Sequence, residues 1–158
     1  MLHVDVADFL RPSSLRLERG RDDPDAFFDD WVDVAGLRRE VLDPAGPGGS
    51  LRVLPSLWDV TRDRATRADY VDLRDGAVLV VSGWFLLGRD LPFDLTVHVA
   101  LSPAARTRRA PAADAARELP AYARYDEQVR PVAVADIVVR ADDPQRPAML
   151  DRAPRQHD

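Results

Sequence analysis

The run Gly76–Gly88, GAVLVVSGWFLLG, limits what this chain can fold into more than any other stretch. Ala77–Val81 is unbroken and apolar, Ser82-Gly83 interrupts it, and Trp84, Phe85, Leu86 and Leu87 resume at once. A continuous Val/Leu run bounded by glycines predicts a strand buried on both faces, as in the middle of a parallel sheet. Open α/β sheets carry their chemistry just past the carboxyl ends of the strands. The Ser82-Gly83-Trp84 corner is therefore the first place where function is expected.

The segments around this run alternate in type. Leu2–Val6 reads as a short strand, and Pro12 blocks any helix growing out of Ala7–Arg11. Asp22-Asp23-Pro24-Asp25 is a helix start: a capping aspartate, proline at the first helical position, and acid in the first turn. Apolar residues recur at Phe27, Trp31, Val34, Leu37 and Val41, a buried helical stripe, while Gly36 and a second candidate cap at Asp33 divide it into two shorter helices. Asp43–Ser50 reads as a flexible loop and Leu51–Leu57 as extended. Tyr70–Leu73 reads as a short edge strand and Asp94–Leu101 as a further strand. Ser102-Pro103 opens a helix to about Arg109, the alanine-rich Ala110–Glu118 reads as either helix or mobile flap, and Pro120 opens another helix to about Arg130. Asp136–Ala141 is the last strand, and Asp142–Asp158, with three prolines, reads as a frayed tail. Strands alternating with helices predict an α/β domain with a mostly parallel sheet.

Composition narrows the function classes. A chain of 158 residues that is 46% hydrophobic is long and apolar enough for a real core. It has no cysteine, so disulfides and thiolate-bound metals are excluded. It has no apolar run long enough to cross a membrane and no signal-peptide pattern, so a cytoplasmic location is expected. A net charge of -5 argues against general nucleic-acid binding. That charge is uneven: Arg21–Asp43 holds eight acids against three arginines, whereas Leu101–Arg124 holds five arginines against two acids. All 22 basic residues are arginine, so no lysine is available for Schiff-base chemistry or for binding phosphate.

Several residues could carry chemistry. Asp8, at the carboxyl end of the first strand, suits a general base for a hydroxyl nucleophile, or else a turn-forming role. Of the pair Asp22 and Asp23, one suits a helix cap and the other could grip a sugar diol. Trp58 beside Asp59 could stack on a ring or serve the core. Arg106, Arg108, Arg109, Arg117 and Arg124 could clamp phosphates or form a solvated helix face. Gly46–Ser50 is no phosphate loop, because it lacks the lysine of G-x-x-x-x-G-K-[ST] and follows a helix. His3, His98 and His157 have no metal-binding spacing, and no metal ligand set is expected.

Four stretches in order, Ala7–Pro12 (ADFLRP), Asp22–Phe27 (DDPDAF), Val78–Leu87 (VLVVSGWFLL) and Ala135–Pro144 (ADIVVRADDP), resemble the uridine kinase branch of the P-loop nucleoside kinases, in particular its actinobacterial members. The resemblance implies a five-stranded parallel sheet flanked by helices. It implies ATP-dependent phosphorylation of a nucleoside 5′-hydroxyl, with Mg²⁺. It implies Asp8 as the catalytic acid–base residue and Asp22, Trp58, Asp59 and Arg124 as nucleoside contacts. Arg106, Arg108, Arg109 and Arg117 match the arginine-bearing lid. Two departures accompany it. Ser82 stands where the family carries a magnesium-directing acid, and the phosphate loop with its lysine is missing. The resemblance thus implies an incomplete domain over 1–144, lacking its first, central strand, with a flexible C-terminal tail over 145–158. One edge of Ala77–Val81 is then expected to lack a neighbour, roughly two inter-strand spacings from Asp94–Leu101. The corresponding expectation is a uridine kinase-like protein that catalyses poorly or not at all. A non-catalytic nucleoside-binding or regulatory module and an inert fragment are the alternatives.

Overall fold

The structure, a computed structural model, describes residues 1–150. In chain order these form β1 (Leu2–Asp5), α1 (Ser13–Arg16), α2 (Pro24–Asp29), α3 (Val34–Leu37), α4 (Asp43–Ala45), β2 (Arg52–Val53), β3 (Trp58–Asp59), β4 (Arg64–Ala65) and β5 (Val71–Asp72). There follow β6 (Leu79–Ser82), β7 (Val97–Ala100), α5 (Pro103–Arg109), α6 (Ala115–Gln128), α7 (Pro131–Val134), β8 (Ile137–Arg140) and β9 (Ala148–Leu150). A 3₁₀ turn, Val6–Phe9, continues β1, and a π turn, Arg38–Leu42, joins α3 to α4.

The fold is mixed α/β, and its parallel pairings fall in two pieces. β1 and β6 run parallel, from Leu2 opposite Leu79 to Asp5 opposite Ser82. β7 and β8 run parallel, from Val97 opposite Ile137 to Ala100 opposite Arg140. Among the described residues β6 pairs with β1 alone and β7 with β8 alone. The small ladders β2–β5 and β3–β4 are antiparallel.

The run that opened the sequence analysis is only half enclosed. Leu79 and Val81 pack on the cluster of Val4, Phe9, Leu37, Val41 and Leu42, but Val80 is 40% exposed and Val78 59%. The expectation of a strand buried on both faces is corrected. A strand pleats so that alternate side chains face opposite ways, and only one face of β6 has been covered. Past the strand, the run performs as its composition predicts. Phe85, 2% exposed, meets Phe27, Phe28 and Tyr125 at ring-centroid distances of 5.1–5.2 Å, edge to face. Gly83 lies against Val6, where a Cβ would overlap the valine side chain.

Helix boundaries follow the predicted chemistry. The Asp23 carboxylate accepts from the Ala26 N–H at 2.6 Å and Pro24 takes the first helical position. The Asp33 carboxylate accepts from the Gly36 N–H at 2.9 Å, and the Leu10–Val32 bridge separates α2 from α3, so the stripe is indeed split. Ser102 caps α5. α6 begins five residues earlier than expected, at Ala115, and carries Pro120 within its second turn. So near a helix start, proline forfeits a single intrahelical bond, a loss the packed helix tolerates. Asp43 and Pro44, expected to open a loop, continue the preceding helical turn instead. Ala148–Leu150, inside the stretch expected to be tail, forms β9 antiparallel to β8; the remainder of that tail, 151–158, lies outside the described residues. None of the described helices is long and apolar enough to cross a membrane.

Replacing Asp23 or Asp33 with alanine is expected to cost about 1 kcal/mol each in denaturant unfolding, the usual loss of a helix cap. Gly83→Ala is expected to cost more, about 2 kcal/mol, because Val6 is wholly buried and cannot retreat.

Candidate functional site

The register of β1 on β6 fixes the site. It sets Asp5 and Ser82 side by side at the carboxyl ends of two parallel strands, and His3 Nε2 lies 2.8 Å from the Ser82 hydroxyl. The Asp5 carboxylate accepts from the Ala7 N–H at 2.9 Å and starts the 3₁₀ turn that carries Asp8 beyond the strand. There the Asp8 carboxylate accepts from the Ser56 hydroxyl at 3.2 Å, and its carbonyl accepts from the Leu57 N–H at 2.9 Å. These two bonds tie Asp8 to the segment that runs directly into Trp58 and Asp59.

Around them the polar groups are closely tied. Trp58 Nε1 donates to the Asp63 carboxylate at 3.1 Å. That carboxylate also accepts from the Ser13 hydroxyl and from the Ser13 N–H at 2.9 Å, and lies 3.9 Å from Arg16. The hydroxyl and amide of Ser13 hold the Asp63 carboxyl below its ordinary range. The Asp59 carboxylate accepts from the Arg62 and Thr61 N–H groups, which likewise draw its pKa down. Arg16 and Arg117, each 6% exposed, both stack on Trp31, at 5.1 and 4.5 Å. Burial pulls the Arg16 pKa down. Sequence reasoning missed Arg16: it sits in a polar stretch whose only local signal was an arginine among serines and leucines.

The remaining predicted arginines are engaged elsewhere. Arg117 donates to Asp114 at 2.8 Å and Glu118 at 3.2 Å, and reaches toward the Arg21 carbonyl at 3.5 Å. Arg106 pairs with Asp126 at 2.7 Å over the Tyr122 ring. Arg109 donates to the carbonyls of Ala141 and Asp142. Arg108 stands exposed in the last turn of α5. Arg124 bridges Asp25 and Asp29 of α2 at 2.8 Å each and lies over Phe28. Asp22 is exposed one residue ahead of Asp23, which does the capping. The structure therefore ties Asp8 to the segment ahead of Trp58 and Asp59, and distributes the arginines over contacts that tie α2, α5, α6 and the end of β8 together.

Beside this corner lies a cleft of about 460 Å³. Val80–Leu87 form one wall, Leu95–Val99 the other, and Tyr122 and Tyr125 of α6 close the far side. Burial pushes the Tyr125 hydroxyl up to about 12, against the opposing pull of the Leu87 N–H, and pushes the His98 imidazole down. No group of three or more metal-ligating side chains occurs among the described residues.

No protein-family model matches the chain, and no curated protein matches it in sequence. A solved structure, described as that of a possible uridine kinase from Bacillus stearothermophilus, is similar in fold. Its TM-score is 0.68 at 18% identity, over 87% of this chain and 70% of that one. The likeness supports a kinase-like fold.

Two outcomes test this geometry. Tyr125 keeps its proton in the fold at pH values where the unfolded chain has lost it. Stability is therefore complete below pH about 10 and falls by up to about 2–3 kcal/mol as pH rises toward 12; ultraviolet titration of tyrosinate alongside unfolding checks it. Arg117→Ala strands Asp114 and Glu118 and exposes Trp31 and Phe27, and is expected to cost about 2 kcal/mol by chemical denaturation.

Proposed function

We propose that this chain is a nucleoside-binding module built on a kinase-like fold, and that it does not by itself transfer phosphate at an appreciable rate. The observation that supports the reading is the attachment of Asp8 to Ser56 and Leu57, which ties the end of β1 to the segment that leads into Trp58 and Asp59. A carboxylate and an indole on two segments tied together in this way suit a ligand with a hydroxyl-bearing sugar and a flat base. The likeness to a structure described as a possible uridine kinase points the same way. In this reading Asp8 accepts a hydrogen bond from a sugar hydroxyl, Trp58 stacks on the base, and Asp59 orders the loop that carries the ring.

ATP and Mg²⁺, which the sequence resemblance implies, do not fit the residues present. The hydroxyl of Ser82 faces His3, the Asp5 carboxylate caps the 3₁₀ turn, and the chain has no lysine to meet a phosphate. Four of the five arginines expected to clamp phosphate are already committed to carboxylates or carbonyls. The site keeps the groups for holding an acceptor hydroxyl and lacks those for holding a donor.

Calorimetry with uridine and cytidine tests the reading. Binding is expected, weakened about tenfold or more by Trp58→Ala, the loss of one stacked base. Absence of binding to either nucleoside sinks it. ATP-dependent phosphorylation of uridine is expected to be undetectable, and turnover that disappears in Asp8→Asn would show the chain to be a working kinase.

A further inference from the structure

Trp58 carries one polar atom, and the fold has already used it. The indole Nε1 donates to the Asp63 carboxylate at 3.1 Å. β3 and β4 pair Trp58 with Ala65 and Asp59 with Arg64, so Asp63 closes the turn Val60–Asp63 between them. Its φ of +48° lies in the left-handed region, where aspartate is among the few side chains found with any frequency. From that turn the carboxylate reaches two ways. One way it meets Trp58, back along its own hairpin. The other way it meets Ser13, 50 positions off in sequence, accepting from both the hydroxyl and the N–H. Pro12, at the cap position of α1, has no side chain that can accept, so Asp63 satisfies a helix N–H that α1 leaves open. α1 is itself fixed: Arg16 is 6% exposed, stacks on Trp31 and lies 3.9 Å from Asp63. A line of contacts thus runs from the core at Trp31 through Arg16 and Asp63 to the indole of Trp58.

We propose that Asp63 is the positioning residue of the nucleoside site: it pins Trp58 by the indole N–H, so that the ring meets a base through its π face alone and does not discriminate between uracil and cytosine. The inference rests on the nucleoside reading given above. Three donors converge on one carboxylate, and bonds to a charged acceptor are the stronger kind. Side-chain freedom that the fold has removed in advance need not be removed on binding, which is how preorganisation raises affinity. A tryptophan whose N–H is already taken offers a ligand only its apolar π surface, and every base has a flat face to lay on it. Asp59 holds the same turn from the other side, accepting from the Thr61 and Arg62 N–H groups, so removal of the Asp63 carboxylate frees the indole without unravelling the hairpin.

Asp63→Gly removes the carboxylate and leaves a residue that adopts the same φ without strain. Asp63→Asn keeps the shape: its carbonyl oxygen accepts from the indole and the Ser13 N–H, and its amide donates to the Ser13 hydroxyl. Proton NMR of the whole chain reads the clamp, with the Trp58 indole signal identified by its loss in Trp58→Phe. In Asp63→Gly that proton is expected to exchange with water about tenfold faster or more, while those of Trp31 and Trp84, whose ring nitrogens are buried, are unchanged. Calorimetry reads the consequence. Asp63→Gly is expected to weaken uridine and cytidine by the same factor, about threefold to tenfold, and Asp63→Asn to restore binding to within about threefold of the native chain. Unchanged indole exchange in Asp63→Gly, undiminished affinity in that variant, a loss confined to one nucleoside, or an Asp63→Asn chain that binds no better than Asp63→Gly overturns the proposal while the nucleoside reading stands. A native chain that binds neither nucleoside sinks that reading, and with it the role given to Asp63, even where the indole proton is protected.

Discussion

Parallel pairing of β1 with β6 is the constraint on which the rest of the molecule depends. It joins segments whose residues lie as far apart in sequence as His3 and Ser82, 79 positions. Shifting it by one residue would turn Val4 out of the core and carry Val6 away from Gly83. Because the pair is parallel, both strands deliver their carboxyl ends to the same place. Asp8 leaves from one and the Ser82-Gly83 corner from the other. The two clusters of the core meet at this strand as well: Val4 belongs to one and Val6 to the other.

Guanidinium groups supply the second layer of order. Arg16 and Arg117 share Trp31, Arg89 and Arg124 lie over Phe28, and Arg106 lies over Tyr122. A planar guanidinium can stack on a ring and donate from its edge at once, which the ammonium of lysine cannot. Arg124 does both, donating to Asp25 and Asp29 while covering Phe28. Part of the uneven charge seen along the sequence thus resolves into α2 and α6 facing each other, with Arg124 of α6 meeting Asp25 and Asp29 of α2.

Local chemistry was legible in the sequence and long-range pairing was not. Asp23, Asp33 and Ser102 act as caps because an aspartate or serine oxygen satisfies its own neighbours' N–H groups, and that information lies within four residues. The mixed α/β class followed from alternation of strand and helix, and the kinase-like fold from the resemblance carried by four short stretches. Three features escaped. Pro120 marked a helix start by rule, yet α6 extends past it on the strength of its packing against α2. β9 forms from a proline-bordered segment whose only support is β8. Arg16 becomes part of the site through Trp31 and Asp63, partners that no nearby spacing announces. Asp8, Trp58 and Asp59 were singled out because strand ends and aromatic–acid pairs are local signals. Their attachment through Ser56 and Leu57 was not, because it depends on a loop folding back over a distant turn.

The open valines of β6 and β7 also bear on how the chain behaves in concentrated solution. An apolar strand with an unpaired edge is a template for edge-to-edge growth, and proteins ordinarily blunt such edges with lysine, proline or a covering helix. Here Val78, Val80, Val97 and Val99 have none of these beside them on their own strands. What opposes association is the net charge of -5, a repulsion acting over about 10 Å at moderate ionic strength. Colloidal stability is therefore a property of the buffer as much as of the fold: salt, or a pH near the isoelectric point of about 5.2, weakens the repulsion between these edges.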